Sequence, residues 1–350
     1  SMKNFFIEGI EIGEGCKPFI IAEMSGNHNA SLEKALAIVD KAAECGAHAI
    51  KLQTYTPDTM TINHSGGLFS INDSKSLWNG RNLYELYQEA HTPWDWHYEI
   101  FKRAKEKGII VFSTPFDHTA VDFLEAIGVS AFKIASFENT DLLLLKKVAQ
   151  TGKPVIMSTG LATVADLEES VNVLRQNGCE NLVLLKCTSS YPSSPKNTNL
   201  VTIPHLSNLF DVHVGLSDHT LGIGAAIASV SLGAKIIEKH FTISRAEGGV
   251  DSAFSIEPNE LKLLVEESER AFLSLGHIQY GIQDSEKRSL RFKRSIYVVK
   301  DISQGDRFTT DNIRIIRPGD GLKPKYFNEI LGKKASNNIK RGTPLNWDFI

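Results

Sequence analysis

The sequence predicts an α/β protein, a (β/α)8 TIM barrel followed by a small β-rich domain. Eight short β-rich runs alternate with amphipathic stretches from Phe19 onward. Such alternation implies parallel pairing, and eight units over roughly 250 residues have the size of a (β/α)8 barrel. A doubly wound open sheet is the structural alternative, and it normally has a glycine-rich turn after its first strand. Here that turn, AEMSGNHNAS, contains one glycine.

The predicted strands are apolar runs that end in polar residues. In chain order they are FIIAEMS, AIKLQTY, IIVFSTP, AFKIASF, PVIMSTG, LVLLKCTSSYP, HVGLSDHT and IIEKHFT. Amphipathic patterns predict helices between them, for example over residues 31–45, 94–107 and 164–176.

Two segments depart from a plain barrel. Almost forty residues separate the second strand from the helix near Trp94, and loops that long are usually functional or carry structure of their own. After a helix that ends near Leu275, a polar stretch precedes short strands punctuated by Gly and Asp. We therefore predict a barrel domain over residues 1–276, a linker over 277–290 and a small β-rich domain over 291–350.

Composition argues against several classes of protein. Apolar content of 42% and charged content of 23% are ordinary for a soluble globular protein. The net charge of −3 and the lack of a Lys/Arg block argue against nucleic-acid binding. No apolar stretch approaches the ~18 residues that span a bilayer, and four cysteines without CxxC spacing favour reduced thiols. We expect a cytoplasmic protein with no nucleic-acid or membrane partner.

Polar and charged residues collect at the predicted strand ends. Active sites of (β/α)8 barrels lie at the carboxyl ends of the strands. Charged groups gathered there need each other or a ligand, because an unpaired buried charge is costly. Lysines with hydroxyls suit an anion that carries phosphate and carboxylate groups. The residues at these ends are Glu23, Ser25, Lys51, Gln53, Ser113, Thr114, Lys133, Ser136, Ser158, Thr159, Lys186, Thr188, Ser217, His219, Glu238 and His240.

His219 and His240 end two consecutive predicted strands, 21 positions apart. One interpretation is a pair of unrelated structural histidines. The other is a divalent ion held between neighbouring strands, which run ~4.8 Å apart. Two protein ligands would leave coordination positions open for substrate and water, as catalysis needs.

The motifs IIAEMSGNHNAS, AIKLQTY, FSTPFD, KIASFE, VIMSTGLAT, KCTSSYP, VGLSDHT and IEKHF resemble those of the sialic acid synthase family. They come in the family order, and the resemblance covers nearly the whole chain. The final segment resembles the family's antifreeze-like (SAF, β-clip) domain. Within the family, SLWNGRNLYELYQEAHTPWDWH and DSAFS are most similar to the pseudaminic acid synthases.

This resemblance implies a transferase that uses phosphoenolpyruvate. It would condense phosphoenolpyruvate with open-chain 2,4-diacetamido-2,4,6-trideoxy-L-altrose and water, giving pseudaminic acid and phosphate. It implies a divalent metal, with Mn²⁺ preferred on ligand softness and Mg²⁺ or Co²⁺ as alternatives. It also implies a domain-swapped homodimer, and a bacterial product sugar for uses such as flagellin glycosylation.

The resemblance assigns roles to individual positions. His219 and His240 match metal ligands. Glu23 matches a carboxylate near the reacting carbons, and Arg317, in IRPGDG, matches an arginine sent into the partner subunit's site. These four, with Lys133, form the implied catalytic set. The positions that hold phosphoenolpyruvate are matched by Lys51, Thr114, Lys133, Ser136, Ser158, Ser189 and Ser217. The sugar-side positions are matched by Gln53, Glu138, Tyr191 and Asp251.

Other functions remain as alternatives. Within the family, these are N-acetylneuraminate synthase and legionaminic acid synthase. Outside it, a Schiff-base aldolase would use Lys133 or Lys186 as its nucleophile. A non-enzymatic carbohydrate- or ice-binding protein would leave the polar strand ends without a purpose.

Overall fold

The computed structural model describes residues 2–76 and 78–350. Leu77, which belongs to one of the segments most similar to pseudaminic acid synthases, lies outside the described residues, as does Ser1. The chain divides into two compact units, Ser1–Gly276 and His277–Ile350. Residues 277–290, predicted as a linker, group with the second unit.

A closed barrel of eight parallel strands forms the first unit, as the sequence predicts. A short antiparallel hairpin of β1 (Phe5–Ile7) and β2 (Ile10–Ile12) precedes it. The barrel closes where its last strand pairs with its first. Its strands are β3 (Phe19–Glu23), β4 (Ala49–Thr54), β5 (Ile110–Pro115), β6 (Phe132–Ile134), β7 (Val155–Ser158), β8 (Leu182–Cys187), β9 (His213–Asp218) and β10 (Ile236–His240).

Helices follow every barrel strand and form the outer layer. Several begin at a side chain that caps the free N–H groups of the first turn, as Thr163 does for Asp166 N at 3.1 Å. The helices of this unit are α1 (Leu32–Glu44), α2 (Pro57–Met60), α3 (Leu83–Ala90), α4 (Trp94–Lys107), α5 (His118–Ile127), α6 (Leu142–Ala149), α7 (Val164–Gln176), α8 (Thr202–Phe210), α9 (Gly224–Ser231) and α10 (Pro258–Leu275).

Strand alternation builds the core and also delivers polar groups to one end of the barrel. In β3, Phe19 and Ile21 face the barrel interior, where they pack with the N-terminal hairpin. The next residue on that face is Glu23, at the carboxyl end of the strand. In β10 the same face carries Glu238 and then His240. The barrel is therefore apolar at its amino end and polar at its carboxyl end.

The long segment between β4 and α4 has structure of its own. It contains α2 and α3, which pack against each other. The Asn82 side chain caps α3 by accepting from Glu85 N at 2.9 Å. The segment is therefore a folded insertion between β4 and α4.

The second unit is small and β-rich, as predicted. Strands β11 (Ser295–Val298) and β12 (Ile313–Ile316) pair antiparallel, and the one short α-helix assigned in it is α11 (Phe327–Ile330). It has a separate apolar core, which includes Ile296, Phe308 and Leu345. Across residues 2–76 and 78–350, no helix combines the length and apolar character needed to cross a membrane.

Candidate active site

A cavity of about 270 Å3 opens at the carboxyl end of the barrel strands. Most of the predicted site residues line it. Thr114, Glu138 and Ser189 are outside its lining, and Arg317 is an exposed residue of the second unit. The predicted residues in the lining are Glu23, Lys51, Gln53, Lys133, Ser136, Ser158, Tyr191, Ser217, His219, His240 and Asp251.

Four buried charges form the floor of this cavity. The Lys51 ammonium contacts the Glu238 carboxylate and lies 3.2 Å from Glu23 Oε2. Lys133 Nζ lies 3.0 Å from the other oxygen of Glu238. All four side chains are at most 5% exposed. Glu238 therefore bridges the two lysines, and none of these charges is buried alone.

The four charges shift one another's pKa values in different directions. Burial alone would lower the pKa of Lys51, but the carboxylates of Glu23 and Glu238 outweigh it and raise the pKa. Burial prevails for Lys133 and lowers its pKa despite the attraction of Glu238. Burial also raises the pKa of Glu23, against the attraction of Lys51. Glu23 is thus a carboxyl group that binds a proton more readily than usual, which suits proton transfer.

Hydroxyl residues also lie near the strand ends, Ser136 and Ser158 in the cavity lining and Thr114 outside it. Thr114 Oγ1 and Ser158 Oγ are buried without a hydrogen-bond partner in the part of the chain that the structure describes. The Ser136 hydroxyl accepts from Gly160 N at 3.0 Å. A Cβ at Gly160 would overlap the Ser189 hydroxyl and lie 2.6 Å from Ser136 Oγ. Glycine therefore leaves room between Ser136 and Ser189. A free Ser158 hydroxyl in a cavity that also contains two lysines suits an anionic ligand.

The two histidines of the predicted metal site face each other. Their ring centroids are 5.3 Å apart, and both side chains are largely buried. His219 Nδ1 lies 2.8 Å from the Thr188 carbonyl oxygen, which can only accept, so Nδ1 carries the proton. His240 Nδ1 lies 3.5 Å from Asp251 Oδ2. An oxygen acceptor at Nδ1, the Thr188 carbonyl for His219 and the Asp251 carboxylate for His240, leaves Nε2 of each ring to bind a metal.

This donor set fits a divalent ion bound at an open site. Over residues 2–76 and 78–350, the structure has no group of three His, Cys, Asp or Glu side chains arranged to hold a metal. The protein would thus supply two imidazoles, and the remaining ligands would be substrate and water. Asp251, which resemblance placed on the sugar side, also contacts Ser25 and so connects the loop after β3 to the His240 ring.

One wall of the cavity is apolar and comes partly from the long segment. Met60 ends α2, and Leu86, Tyr87 and Ala90 lie on α3. Tyr55 supports them, with its ring centroid 5.7 Å from that of Tyr87. Their chemistry suits methyl groups on a ligand. From sequence we expected this long segment to be functional or to have structure of its own, but we assigned no role to these residues.

Sequence reasoning also left Glu238 without a role. The sequence places Glu238 among the strand-end charges, which need each other or a ligand. The side chain it pairs with, Lys51, is 187 positions away in sequence, so only barrel closure reveals the bridge. Lys186 is outside the cavity lining, and its Nζ lies 3.3 Å from Thr188 Oγ1. This position does not suit the nucleophile of an aldolase.

Glu138 should make stability depend on pH. Burial, followed by repulsion from Asp141, raises the pKa of Glu138 from 4.5 to about 7. Folding therefore disfavours its ionised form, a cost that is absent below pH 4.5 and complete above pH 7. Glu138→Gln should raise the melting temperature at pH 8 and change it little at pH 4.5. The exposed Glu125→Gln is the control; an equal shift at both pH values for Glu138→Gln would contradict this account.

Comparison with known proteins agrees with this geometry. The profile of the NeuB family matches residues 38–280, and that of the SAF domain matches residues 293–350. Pseudaminic acid synthase of Campylobacter jejuni is 43% identical over 94% of this chain and 95% of its own. The Helicobacter pylori protein of the same name is 43% identical over 95% and 98%. N,N'-diacetyllegionaminic acid synthase of Campylobacter jejuni is 35% identical over 93% and 97%.

A solved structure is similar as well. N-acetylneuraminic acid synthetase from Leptospira borgpetersenii aligns with a TM-score of 0.72 and 34% identity, over 82% of this chain and 95% of that one. The resemblance to sialic acid synthases that the motifs predicted is thereby confirmed. With matches across both its barrel and its C-terminal unit, the chain belongs to the NeuB family.

Proposed function

We propose that the protein condenses phosphoenolpyruvate with an open-chain diacetamido sugar and water, giving pseudaminic acid and phosphate. The sugar would be 2,4-diacetamido-2,4,6-trideoxy-L-altrose. The observation that carries this proposal is the 43% identity, over nearly the full length, to proteins named pseudaminic acid synthase. The 35% identity to a legionaminic acid synthase makes that activity the second candidate.

The cavity floor supports the use of phosphoenolpyruvate. This substrate brings about three negative charges, and taking them out of water requires several positive groups. Lys51 and Lys133 supply two ammonium groups 3.2 Å or less from their present carboxylate partners. The Ser158 hydroxyl, which lines the cavity and has no hydrogen-bond partner among the described residues, adds a donor. We assign these groups to the phosphate and carboxylate of phosphoenolpyruvate.

The sugar would lie between the two histidines and the apolar wall. His219 and His240 would hold the divalent ion, for which Mn²⁺ suits imidazole ligands better than Mg²⁺. When bound, the ion would supply Lewis acidity at the sugar aldehyde. Glu23, with its raised pKa, would move a proton at the reacting carbons. Gln53, Tyr191 and Asp251 line the side of the cavity where we place the sugar hydroxyls and amides.

We infer that the enzyme works as a domain-swapped homodimer in the cytoplasm, and that its product is used in glycosylation, for example of flagellin. Residues 1–276 carry 23 Lys/Arg against 33 Asp/Glu, whereas residues 277–350 carry 15 against 8. Opposite net charges favour association of the basic unit with the acidic barrel of a second copy. Arg317, on the basic unit, would then complete the partner's site.

An assay of the purified protein tests the proposed activity. Phosphate release from phosphoenolpyruvate would be measured with the L-altro diacetamido sugar, with the legionaminic acid precursor and with N-acetylmannosamine. We expect turnover with the first, loss of activity with a chelator and recovery with Mn²⁺. A preference for either other sugar would overturn the sugar assignment, and borohydride trapping of an enzyme–substrate adduct would favour an aldolase.

Lys133→Ala should weaken phosphoenolpyruvate binding about ten- to a hundredfold, because it removes a charge-assisted contact of roughly 1.5–3 kcal/mol. Sugar binding should change little. Glu238 keeps Lys51 as a partner, so the variant should fold. Calorimetric titration with each substrate separately is the measurement, and Lys186→Ala, outside the cavity, is the matched control. Equal losses for both substrates would contradict the assignment.

Tyr87→Ala should raise KM for the sugar about four- to tenfold and leave KM for phosphoenolpyruvate nearly unchanged. The ring forms part of the apolar wall, and burial of one methyl group is worth ~0.8 kcal/mol. Tyr84→Ala is the control, since Tyr84 lies on the same helix outside the cavity lining. A sugar-bound structure with no residue of this segment near the ligand would refute the idea.

A further inference from the structure

A buried ion pair joins the ends of the two strands that carry the histidines. Lys239 lies in β10 between Glu238 and His240, so its side chain points to the opposite face, away from the cavity. It is 0% exposed, and its Nζ lies 3.0 Å from Asp218 Oδ2. A lysine this deeply buried is rare unless it is fully paired.

The Lys239 ammonium group is fully satisfied. It has three protons to donate, and the structure gives it three acceptors. These are the Asp218 carboxylate at 3.0 Å and the carbonyl oxygens of Thr220 and Gly222, each at 2.7 Å. All three acceptors belong to the turn that contains His219, so Lys239 fixes the turn from both sides of that histidine.

Asp218 completes the arrangement from the other strand. Its second oxygen accepts from Thr220 N at 2.9 Å and from Thr220 Oγ1 at 2.7 Å. Both oxygens of the carboxylate are therefore engaged. The backbone on either side of His219 is tied to one rigid group, which restricts where the imidazole can point.

The register of the two strands determines where the ion pair between Lys239 and Asp218 lies. Asp218 and Lys239 are direct partners, and they form the last pair between β9 and β10. A histidine follows each member of this pair, His219 directly after the end of β9 and His240 as the last residue of β10. Beyond this pair no ladder contact joins β9 to β10 in the described chain, so the ion pair lies at the last point where the ladder holds the two strands together.

We propose that Lys239 and Asp218 are positioning residues that hold His219 and His240 at the spacing at which both rings reach one divalent ion. This inference rests on the metal site of the proposed function. Neither residue lines the cavity, so their effect on substrates would be indirect. Partners behind a metal's ligands typically affect its affinity by about 10–100-fold.

The test is Mn²⁺ affinity of the substrate-free protein, measured by electron paramagnetic resonance of free Mn²⁺. The double variant Asp218→Asn/Lys239→Met removes both charges, so no lone ammonium remains buried. We expect its dissociation constant for Mn²⁺ to rise about 10–100-fold. The visible spectrum of bound Co²⁺ should also change, since the two imidazoles would no longer be held in one geometry.

Arg103→Met is the matched control. It breaks an ion pair of 2.7 Å with Asp40 between α4 and α1, in the same barrel and away from the histidines. It should lower the melting temperature without changing Mn²⁺ affinity. If the double variant does not fold, Thr220→Val removes one contact to Asp218 and should still weaken Mn²⁺ binding several-fold.

Two outcomes separate this inference from the function on which it rests. If the wild-type protein binds Mn²⁺ and the folded double variant, or Thr220→Val in its place, binds it equally well, the positioning role is wrong. If the wild-type protein itself binds no divalent ion, the metal site of the proposed function is wrong, and the positioning role falls with it.

Discussion

Replacing His219 or His240 with alanine should reduce turnover below detection and leave the barrel folded. Each imidazole lies at a strand end facing the cavity, beyond the apolar layers that hold the barrel together. Removing either would leave the proposed metal site with one protein ligand. Phosphate release and thermal unfolding, measured on the same samples, give activity and stability separately.

His97→Gln is the control for this experiment. His97 is fully buried and bonded to Thr54 and to the Pro93 carbonyl, but it does not line the cavity. This variant should lose stability and keep turnover per folded molecule. Near-normal activity of either alanine variant in metal-free buffer would show that the two histidines do not form a metal site.

Mixing two inactive variants should restore activity if Arg317 acts in the partner subunit. Arg317→Ala and His240→Ala are each expected to be inactive as homodimers. In a heterodimer, one site would carry both defects and the other would be entirely wild-type. Random exchange makes half of the dimers mixed, so activity should approach about a quarter of the wild-type value.

Arg314→Ala controls for damage to the second unit, because Arg314 is an exposed arginine three positions earlier. Its homodimer should remain active. Subunit exchange would be followed with two affinity tags. Heterodimers that form without recovering activity would place Arg317 in its own chain's site, or outside any site.

Regular, local patterns made much of the barrel predictable. The helix predicted over residues 164–176 is α7, and the one predicted over 31–45 is α1 with one residue fewer at each end. The sequence also placed Lys51 and Gln53 at the end of one predicted strand, and both line the cavity. Such features depend on residues close together in sequence.

Features that depend on distant parts of the chain were missed. The strands of the N-terminal hairpin have three residues each, too few for a periodic signal. The apolar wall depends on how α3 folds over the barrel mouth. The bridge from Lys51 through Glu238 to Lys133 joins three strands, and strand order alone does not specify which of several nearby charges pair.

In the cluster of Glu23, Lys51, Lys133 and Glu238, the two carboxylates neutralise the two ammonium groups. When all four groups are ionised, their charges cancel, and a trianion entering the cavity leaves an excess of negative charge. Positive charge must balance it, from the proposed divalent ion, from a proton or from both. Glu23 is the carboxyl group whose pKa is already raised by burial, so it is the group most ready to take up a proton. Anion binding and proton uptake become one linked equilibrium, and affinity for the anion falls as pH rises.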